Sequence, residues 1–456
     1  MTPINESEIS GVIAAARVAF ARWSIAPLED RIHFLRALER RYRASQEEIA
    51  TTISSETGKP LWESRLEVDS MAGKIPISID AYAERCGEQS RPLADAVGFR
   101  RFRPHGVLAV LGPFNMPGHL PNGHIVPALL AGNTIVFKPS EQTPRVGEAI
   151  AESFLAANFP QGVFNLIQGG KETGAILARH GGVNGVLFTG STAGGIALRR
   201  ATADDPGKIL ALEMGGNNPL IVHQTQDLAA AAYLIIQSAY ITAGQRCSCA
   251  RRLIVIRGPE SDALIQQLLA MIQRIRIGLP TDDPQPFMGP VISAQAGQNL
   301  LAAQANLLSG GGVALAEMKP SPRSPALLTP GLIDVTRIPD RPDAEFFGPL
   351  LQLIRVDDFD SAIREANNTA YGLSAGLISE NAELYERFLR DIRAGVLAWN
   401  KPLTGASSQL PFGGIGQSGN HRPGGYFAAD YASYSVASLE SPRVQLPAQL
   451  PPGIVI

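Results

Sequence analysis

The chain has 456 residues, 45% of them hydrophobic, enough for a large core in two or three domains. Only three residues are cysteine, which argues against a disulfide framework and for a reducing compartment. A formal net charge of −2 leaves no basic surplus to neutralise phosphates, so nucleic-acid binding is not expected, and no uninterrupted apolar run reaches the roughly 20 residues of a bilayer span.

The first six residues, Met1 to Glu6, lack the basic and apolar regions of a signal peptide, so the reading is cytoplasmic. Residues 9 to 57 predict helices, with Ile13, Val18 and Trp23, then Ile32, Leu35 and Leu38, near helical spacings. Pro27 and Asp30 mark a break, and Thr57-Gly58-Lys59-Pro60 a stop. A further helix is predicted over 62–86. The Arg-rich stretch 98–104 predicts a short strand at an edge or in an assembly arm.

From residue 107 the pattern alternates. Strands are predicted over 107–112, 134–139, 163–167, 185–190 and 209–213, and helices over 143–158, 172–180 and 191–203. Near-continuous aliphatic strands between helices indicate a parallel sheet covered on both faces, which binds ligands at the carboxyl ends of its strands. The alternation resumes after 219, with strands near 252–256 and 351–356 and a helix at 360–367. Residues 308–331, rich in Gly, Pro and Ser, read as a surface excursion, and 439–456 as extended chain.

Several strand ends carry residues that are costly to bury. Glu213 ends an aliphatic strand and is followed by Gly215-Gly216; it is either paired or turned to solvent, or it is a general base with a raised pKa. Gly190-Ser191-Thr192-Ala193-Gly194-Gly195 opens a helix after a strand, as a simple turn or as a pyrophosphate cradle. Cys247 lies in Gly244-Gln245-Arg246-Cys247-Ser248-Cys249 between a helical and a strand-like run. As a nucleophile it needs a promoted thiolate, an oxyanion donor and a base, and Asn115 and Glu213 are candidates for the last two. Cys249 reads as packing, and no Cys or His cluster has zinc spacing, so no metal is expected. His119 and His124 read as structural or pocket-lining.

Taken together, Gly112-Pro113-Phe114-Asn115, Lys138-Pro139-Ser140-Glu141, Phe188-Thr189-Gly190-Ser191, Leu212-Glu213-Met214-Gly215-Gly216, Gly244-Gln245-Arg246-Cys247, Glu345-Phe346-Phe347-Gly348-Pro349 and Pro411-Phe412-Gly413-Gly414 resemble the NAD(P)-dependent aldehyde dehydrogenase superfamily over nearly the whole chain. The resemblance implies an α/β protein with a Rossmann-like NAD-binding domain (1–212), an oligomerisation arm near 87–104, a second α/β catalytic domain (213–412), and a return segment with an oligomerisation tail (413–456). It implies Cys247 as nucleophile, Asn115 and the Cys247 N–H as oxyanion donors, and Glu213 as activator of water. It further implies Lys138 and Glu141 at the adenosine ribose, Gly190 to Gly195 at the pyrophosphate with Ser191 as side-chain contact, and Glu345 and Phe347 at the nicotinamide ribose and ring. The Glu141 carboxylate favours a free 2′-hydroxyl, hence NAD over NADP. A small-molecule aldehyde is the implied partner, and a homodimer or homotetramer the implied assembly. Members that pass the acyl group to coenzyme A lack the acid seen here as Glu213.

Gly118-His119-Leu120-Pro121-Asn122-Gly123-His124, Trp399-Asn400-Lys401-Pro402-Leu403-Thr404 and Gly419-Asn420-His421-Arg422-Pro423 narrow the resemblance. They are similar to a branch whose substrate, N-succinyl-L-glutamate 5-semialdehyde, arises in arginine breakdown and carries two carboxylates. Arg246, with help from His119, then either meets a substrate carboxylate or pairs with a structural acid. The same thiol and carboxylate would also serve an esterase without cofactor, or a dehydrogenase of another acidic semialdehyde. Family members usually carry some thirty more residues before the helix that here begins near Ser7, forming strands at the edge of the cofactor domain; either the true start lies upstream of Met1 or the protein lacks that layer.

Overall fold

The computed structural model describes residues 5–93, 96–447 and 449–456. The readings made on Met1 to Ile4, and residues 94 and 95 of the expected arm, lie outside them. Four helices lead the chain: α1 Glu6–Trp23, α2 Leu28–Ala44, α3 Gln46–Thr57 and α4 Leu61–Cys86. Asn5 accepts from the Glu8 N–H and Glu8 reaches back to the Asn5 N–H, each at 2.9 Å, so α1 starts on a capping box. The helical pattern predicts one break before Gly58, but a second occurs at Ser45, which carries neither Pro nor Gly to announce it. In α4, Glu63, Glu67 and Lys74 are buried beside Val68, Met71 and Ile75. Their separations of four and seven residues put the three ionisable groups on one helical face.

Strands β1 Gln89–Pro92 and β2 Val97–Pro104 form an antiparallel ribbon. The first large sheet follows: β3 Val107–Leu111, β4 Thr134–Lys138, β5 Phe164–Leu166, β6 Gly185–Thr189 and β7 Ile209–Glu213, all parallel, in the order β5-β4-β3-β6-β7. Helices α5 His119–Ala131, α6 Pro144–Ala156, α7 Lys171–Arg179 and α8 Thr192–Ala201 connect them. Leu108 and Val110 pack with α2 to α6, whereas Val107, Ala109 and Leu111 pack with α1, α7 and α8. This period-two division of one strand between two apolar layers explains its unbroken aliphatic sequence.

The second layer holds β8 Asn218–Val222, α9 Leu228–Tyr240, β9 Ala250–Ile256, α10 Pro259–Ile272, α11 Ala294–Ser309, β10 Val313–Ala316, β11 Pro320–Ser321, β12 Ser324–Leu328, β13 Gly331–Asp334, β14 Leu350–Val356, α12 Phe359–Asn367, β15 Ser374–Ile378, α13 Ala382–Asp391 and β16 Val396–Trp399. Its seven-stranded sheet runs β10-β13-β14-β9-β8-β15-β16, with only β10 antiparallel. Residues 308–331 are therefore not merely a surface excursion. They supply β10 and reach β13 through β12, whose Leu327 and Leu328 are fully buried.

The chain ends with β17 Pro411–Phe412, β18 Gly424–Gly425, α14 Ala428–Tyr431 and β19 Ser433–Glu440. β19 pairs antiparallel with β2, so the arm is a three-stranded sheet, β1-β2-β19. The chain crosses from the first large sheet to the second between Glu213 and Asn218. Residues 415–420 bridge the two there. Ile415 and Gln417 donate backbone bonds to Gly372 and Ala370 ahead of β15, while Met214 donates to the Ser418 carbonyl. Asn420 accepts from Leu212 N–H and donates to Leu210 O, each at 2.9 Å, on the free edge of β7. The architecture is α/β: a Rossmann-like parallel sheet, a second α/β layer and a small β arm. Among the described residues no helix is long and apolar enough to cross a membrane.

Candidate active site

Cys247 lies just ahead of β9 of the second layer, and Glu213 ends β7 of the first. Both line one cavity, together with Asn115, His119, His124, Arg246, Lys74 and Tyr431. Asn115 follows β3 by four residues. Its Nδ2 donates at 2.8 Å to the carbonyl of Gln245, two residues before the thiol, which leaves its second N–H unused. Among the described residues no acceptor meets the Cys247 N–H. The three groups proposed from sequence as nucleophile, base and oxyanion donor thus share one wall-to-wall space.

Burial raises the Cys247 thiol above its ordinary range, and the Glu213 and Glu345 carboxyls raise it further, against the opposing charge of Arg251. Burial also raises Glu213 well above the carboxylate range, and its Oε2 has no partner. Burial therefore favours the protonated form of both the thiol and the acid that line this cavity. His119 is brought down to about 4, by burial first, with the Glu67 charge opposing and Lys74 and Arg246 assisting. It is a neutral imidazole, not a cation. His124 is likewise brought down to about 4 by burial and the Lys74 charge. It sits between Tyr431 Oη at 2.7 Å and Thr189 Oγ1 at 3.0 Å.

The turn that presents Cys247 is unusual. Thr242, Ala243 and Gly244 have φ of 56°, 52° and 70°. Glycine adopts this region freely, but a β-branched residue does so only under constraint. Thr242 Oγ1 donates to Glu63 on α4 and accepts from Arg246 Nε at 2.7 Å, while Arg246 Nη2 donates to Glu63 Oε1 at 2.9 Å. Arg251, fully buried, donates to the carbonyls of Gly244 at 2.6 Å and Arg246 at 2.9 Å. Arg246 thus pairs with a structural acid, Glu63, while also lining the Cys247 cavity. Sequence reading missed Glu63, Thr242, Arg251 and Lys74. The recoverable signal was the polar stripe on α4; nothing local announces the Thr242 backbone.

The expected cofactor residues gather at the carboxyl edge of the first sheet. Lys138 ends β4, and its Nζ donates to Pro139 O at 2.8 Å and Gly169 O at 2.9 Å. Burial lowers its pKa, and Glu141, 3.8 Å away and half exposed, opposes that. Ser191 caps α8 by accepting from Gly194 N–H at 3.2 Å, and Ala193 is exposed beside it. Gly190 donates to Glu213 O at 3.0 Å, which joins this loop to the base, and Thr192 Oγ1 donates to Gln417 O at 3.2 Å. A side chain at Gly195 would run into the Met214 thioether, so glycine permits the close packing of α8 on β7. Glu345 Oε1 accepts from Gly216 N–H at 3.1 Å. Phe347 stands edge-on to Phe114, with centroids 5.8 Å apart. A helix N-terminus, a buried amine and a half-exposed carboxylate at one sheet edge fit the pyrophosphate and ribose of a dinucleotide. Among the described residues, no group of three His, Cys, Asp or Glu could hold a metal ion.

The aldehyde dehydrogenase family pattern matches residues 1–436. A protein of Ectopseudomonas mendocina named N-succinylglutamate 5-semialdehyde dehydrogenase is 54% identical over 452 residues, 99% of this chain and 93% of its own. Its Pseudomonas fluorescens namesake is 54% identical over 98% of this chain and 92% of its own. An E. coli NADP-dependent enzyme superposes with a TM-score of 0.91 at 30% identity, covering 96% and 91% of the two chains. An NAD-dependent aldehyde dehydrogenase of Sinorhizobium meliloti does so with a TM-score of 0.91 at 29% identity, covering 98% and 89%. With a family match across most of its length and relatives of this similarity, the chain belongs to the aldehyde dehydrogenase family.

Proposed function

We propose that the protein oxidises N-succinyl-L-glutamate 5-semialdehyde to N-succinyl-L-glutamate with NAD, in arginine breakdown. The observation that carries this reading is the meeting of Cys247, Asn115 and Glu213 in one cavity, in a chain 54% identical to two relatives bearing that activity's name. Cys247 gives up its proton to solvent, the Sγ pair bonds to the aldehyde carbon, and the carbonyl π pair moves to oxygen. The free N–H of Asn115 Nδ2 and the Cys247 N–H hold that oxyanion. A bound nicotinamide dinucleotide supplies the acceptor for the hydride that then leaves this carbon. The acyl group remains on Cys247 as a thioester. Glu213, unpaired at Oε2, takes a proton from water, which adds to the thioester carbon and displaces the Cys247 sulfur.

Lys138, Glu141, Ser191 and the α8 N-terminus hold the adenosine ribose and pyrophosphate, and Glu345 and Phe347 the nicotinamide end. The Glu141 carboxylate would meet a 2′-phosphate with like charge, which supports NAD as the cofactor. Arg246 and His119 border the substrate, Arg246 through its hold on the Cys247 turn. Among the described residues the arm β1-β2-β19 has unpaired outer edges, and such edges support assembly into a homodimer or homotetramer. The place of work is the cytoplasm.

The test follows reduced-cofactor absorbance with NAD and NADP against a panel of semialdehydes. The N-succinylated substrate with NAD should give the highest kcat/KM. Ester hydrolysis without any cofactor reduction would replace this reading by a thiol esterase, and a better turnover of another acidic semialdehyde would reassign the substrate.

A further inference from the structure

One wall of the Cys247 cavity carries an unbalanced charge. Lys74 and Arg246 line it, and Lys59 is buried near His119. Lys59 pairs with Glu67, and Arg246 pairs with Glu63. Lys74 has no such partner. Its side chain is 2% exposed, and among the described residues no carboxylate lies within ion-pairing reach of its ammonium. Its single bond goes to the Gly425 carbonyl at 2.6 Å, which leaves two of three N–H donors unmet. The neighbours that feel its charge, His119 and His124, are both neutral and give no compensation. Glu67 is spent on Lys59 and on the Gly118 and His119 N–H groups at 2.8 and 3.1 Å. Lys74, Ser70 and His119 border the same cavity as the thiol.

Burying an ammonium without an anion is costly, and proteins seldom do so outside a site that brings one. We propose that Lys74 binds a carboxylate of the substrate and so selects acidic aldehydes at this cavity. Burial brings its pKa down to about 8 in the free protein, and an arriving carboxylate restores the charged form. The inference deepens the functional reading above. It rests on that reading for which acid is bound, but not for the presence of an anion subsite beside Cys247.

The test is Lys74→Met, which keeps the length and removes the charge. KM for N-succinyl-L-glutamate 5-semialdehyde, and for succinic semialdehyde as a second acid, should rise about 10- to 100-fold, with kcat within about threefold. KM for pentanal should stay level or fall, and Lys74→Arg should recover part of the loss. Independently of turnover, N-succinyl-L-glutamate should shield Cys247 of the wild type, without dinucleotide, from iodoacetamide, and should fail to shield the variant. An equal rise in KM for pentanal, an unchanged KM for the acids, or undiminished shielding would overturn the proposal. If Lys74→Met misfolds, Lys74→Gln takes its place in each arm. A wild type that oxidises succinic semialdehyde but ignores the N-succinylated one would sink the functional reading, while the Lys74 comparison still decides on the smaller acid.

Discussion

Arg246 reaches across from the Cys247 turn to α4, where its Nη2 donates to Glu63 Oε1 at 2.9 Å; Glu63 in turn holds the hydroxyl of Thr242. The pair fastens a backbone that Thr242 and Ala243 would not adopt unaided. Its partners come from helices and turns some 180 residues apart in sequence. Arg246→Met leaves Glu63 buried and unpaired, a loss of about 3 kcal/mol in urea denaturation. Arg246→Met with Glu63→Gln should cost less than Arg246→Met alone. Both variants should lower kcat more than they raise KM, because the thiol is misplaced while substrate anchoring survives. A rise in KM confined to acidic substrates would instead make Arg246 an anchor.

Glu213→Gln should separate the two halves of the reaction. With the base gone, steady-state turnover should drop by about 10²- to 10⁴-fold. A single burst of reduced cofactor per active site should remain, because acylation does not need Glu213 to activate water. Rapid-mixing absorbance and mass spectrometry of the acylated Cys247 check both expectations. Loss of the burst together with turnover would place Glu213 in the first half-reaction.

The pH profile follows from the same groups. Burial raises both the Cys247 thiol and the Glu213 carboxyl, and the ionised forms do the work, so kcat/KM should climb with pH through neutrality. Glu213→Gln removes one of the charges that raise the thiol, so the pH profile of Cys247 alkylation should move to lower pH. For stability the sign is the reverse. A carboxyl raised in the folded state favours folding below its unfolded pKa, and that contribution fades as pH rises through the folded value. Glu213→Gln should therefore melt above the wild type at alkaline pH.

Cofactor choice should depend on Glu141. Its carboxylate is half exposed, so solvent weakens its repulsion of a 2′-phosphate. Glu141→Gln should narrow the preference for NAD over NADP by about fivefold, seen in kcat/KM for the two cofactors. An unchanged ratio would move the discrimination elsewhere, Lys138 included.

Much of this arrangement was legible because chemistry at strand ends leaves a local mark. Asn115 after β3, Lys138 at the end of β4, Ser191 after β6 and Glu213 at the end of β7 each interrupt an aliphatic run where a ligand edge is expected. The family resemblance joined them to Cys247, which sits on the other layer and has no local link to them. The supports were harder to read. Glu63, Glu67 and Lys74 stand on a helix recognised by its apolar spacing, and only their common face marks them. The conformation of Thr242 is imposed by Glu63 and Arg246, so its own sequence carries no trace of it. The strands between Val313 and Asp334 are short and set among Gly and Pro, which hid a sheet edge behind a loop-like composition.

Residues 415–420 touch β7, the first residue of α8 and the approach to β15 within six positions. A segment so late in the chain completes the edge of a sheet laid down more than two hundred residues earlier. During synthesis, then, β7 and the carboxylate at its end stay unfinished until nearly the whole polypeptide has emerged. A ribosome-bound nascent chain halted near Trp399 would hold its thiol and its base but not the strip that fixes their separation. The protein should become competent late and all at once, not layer by layer.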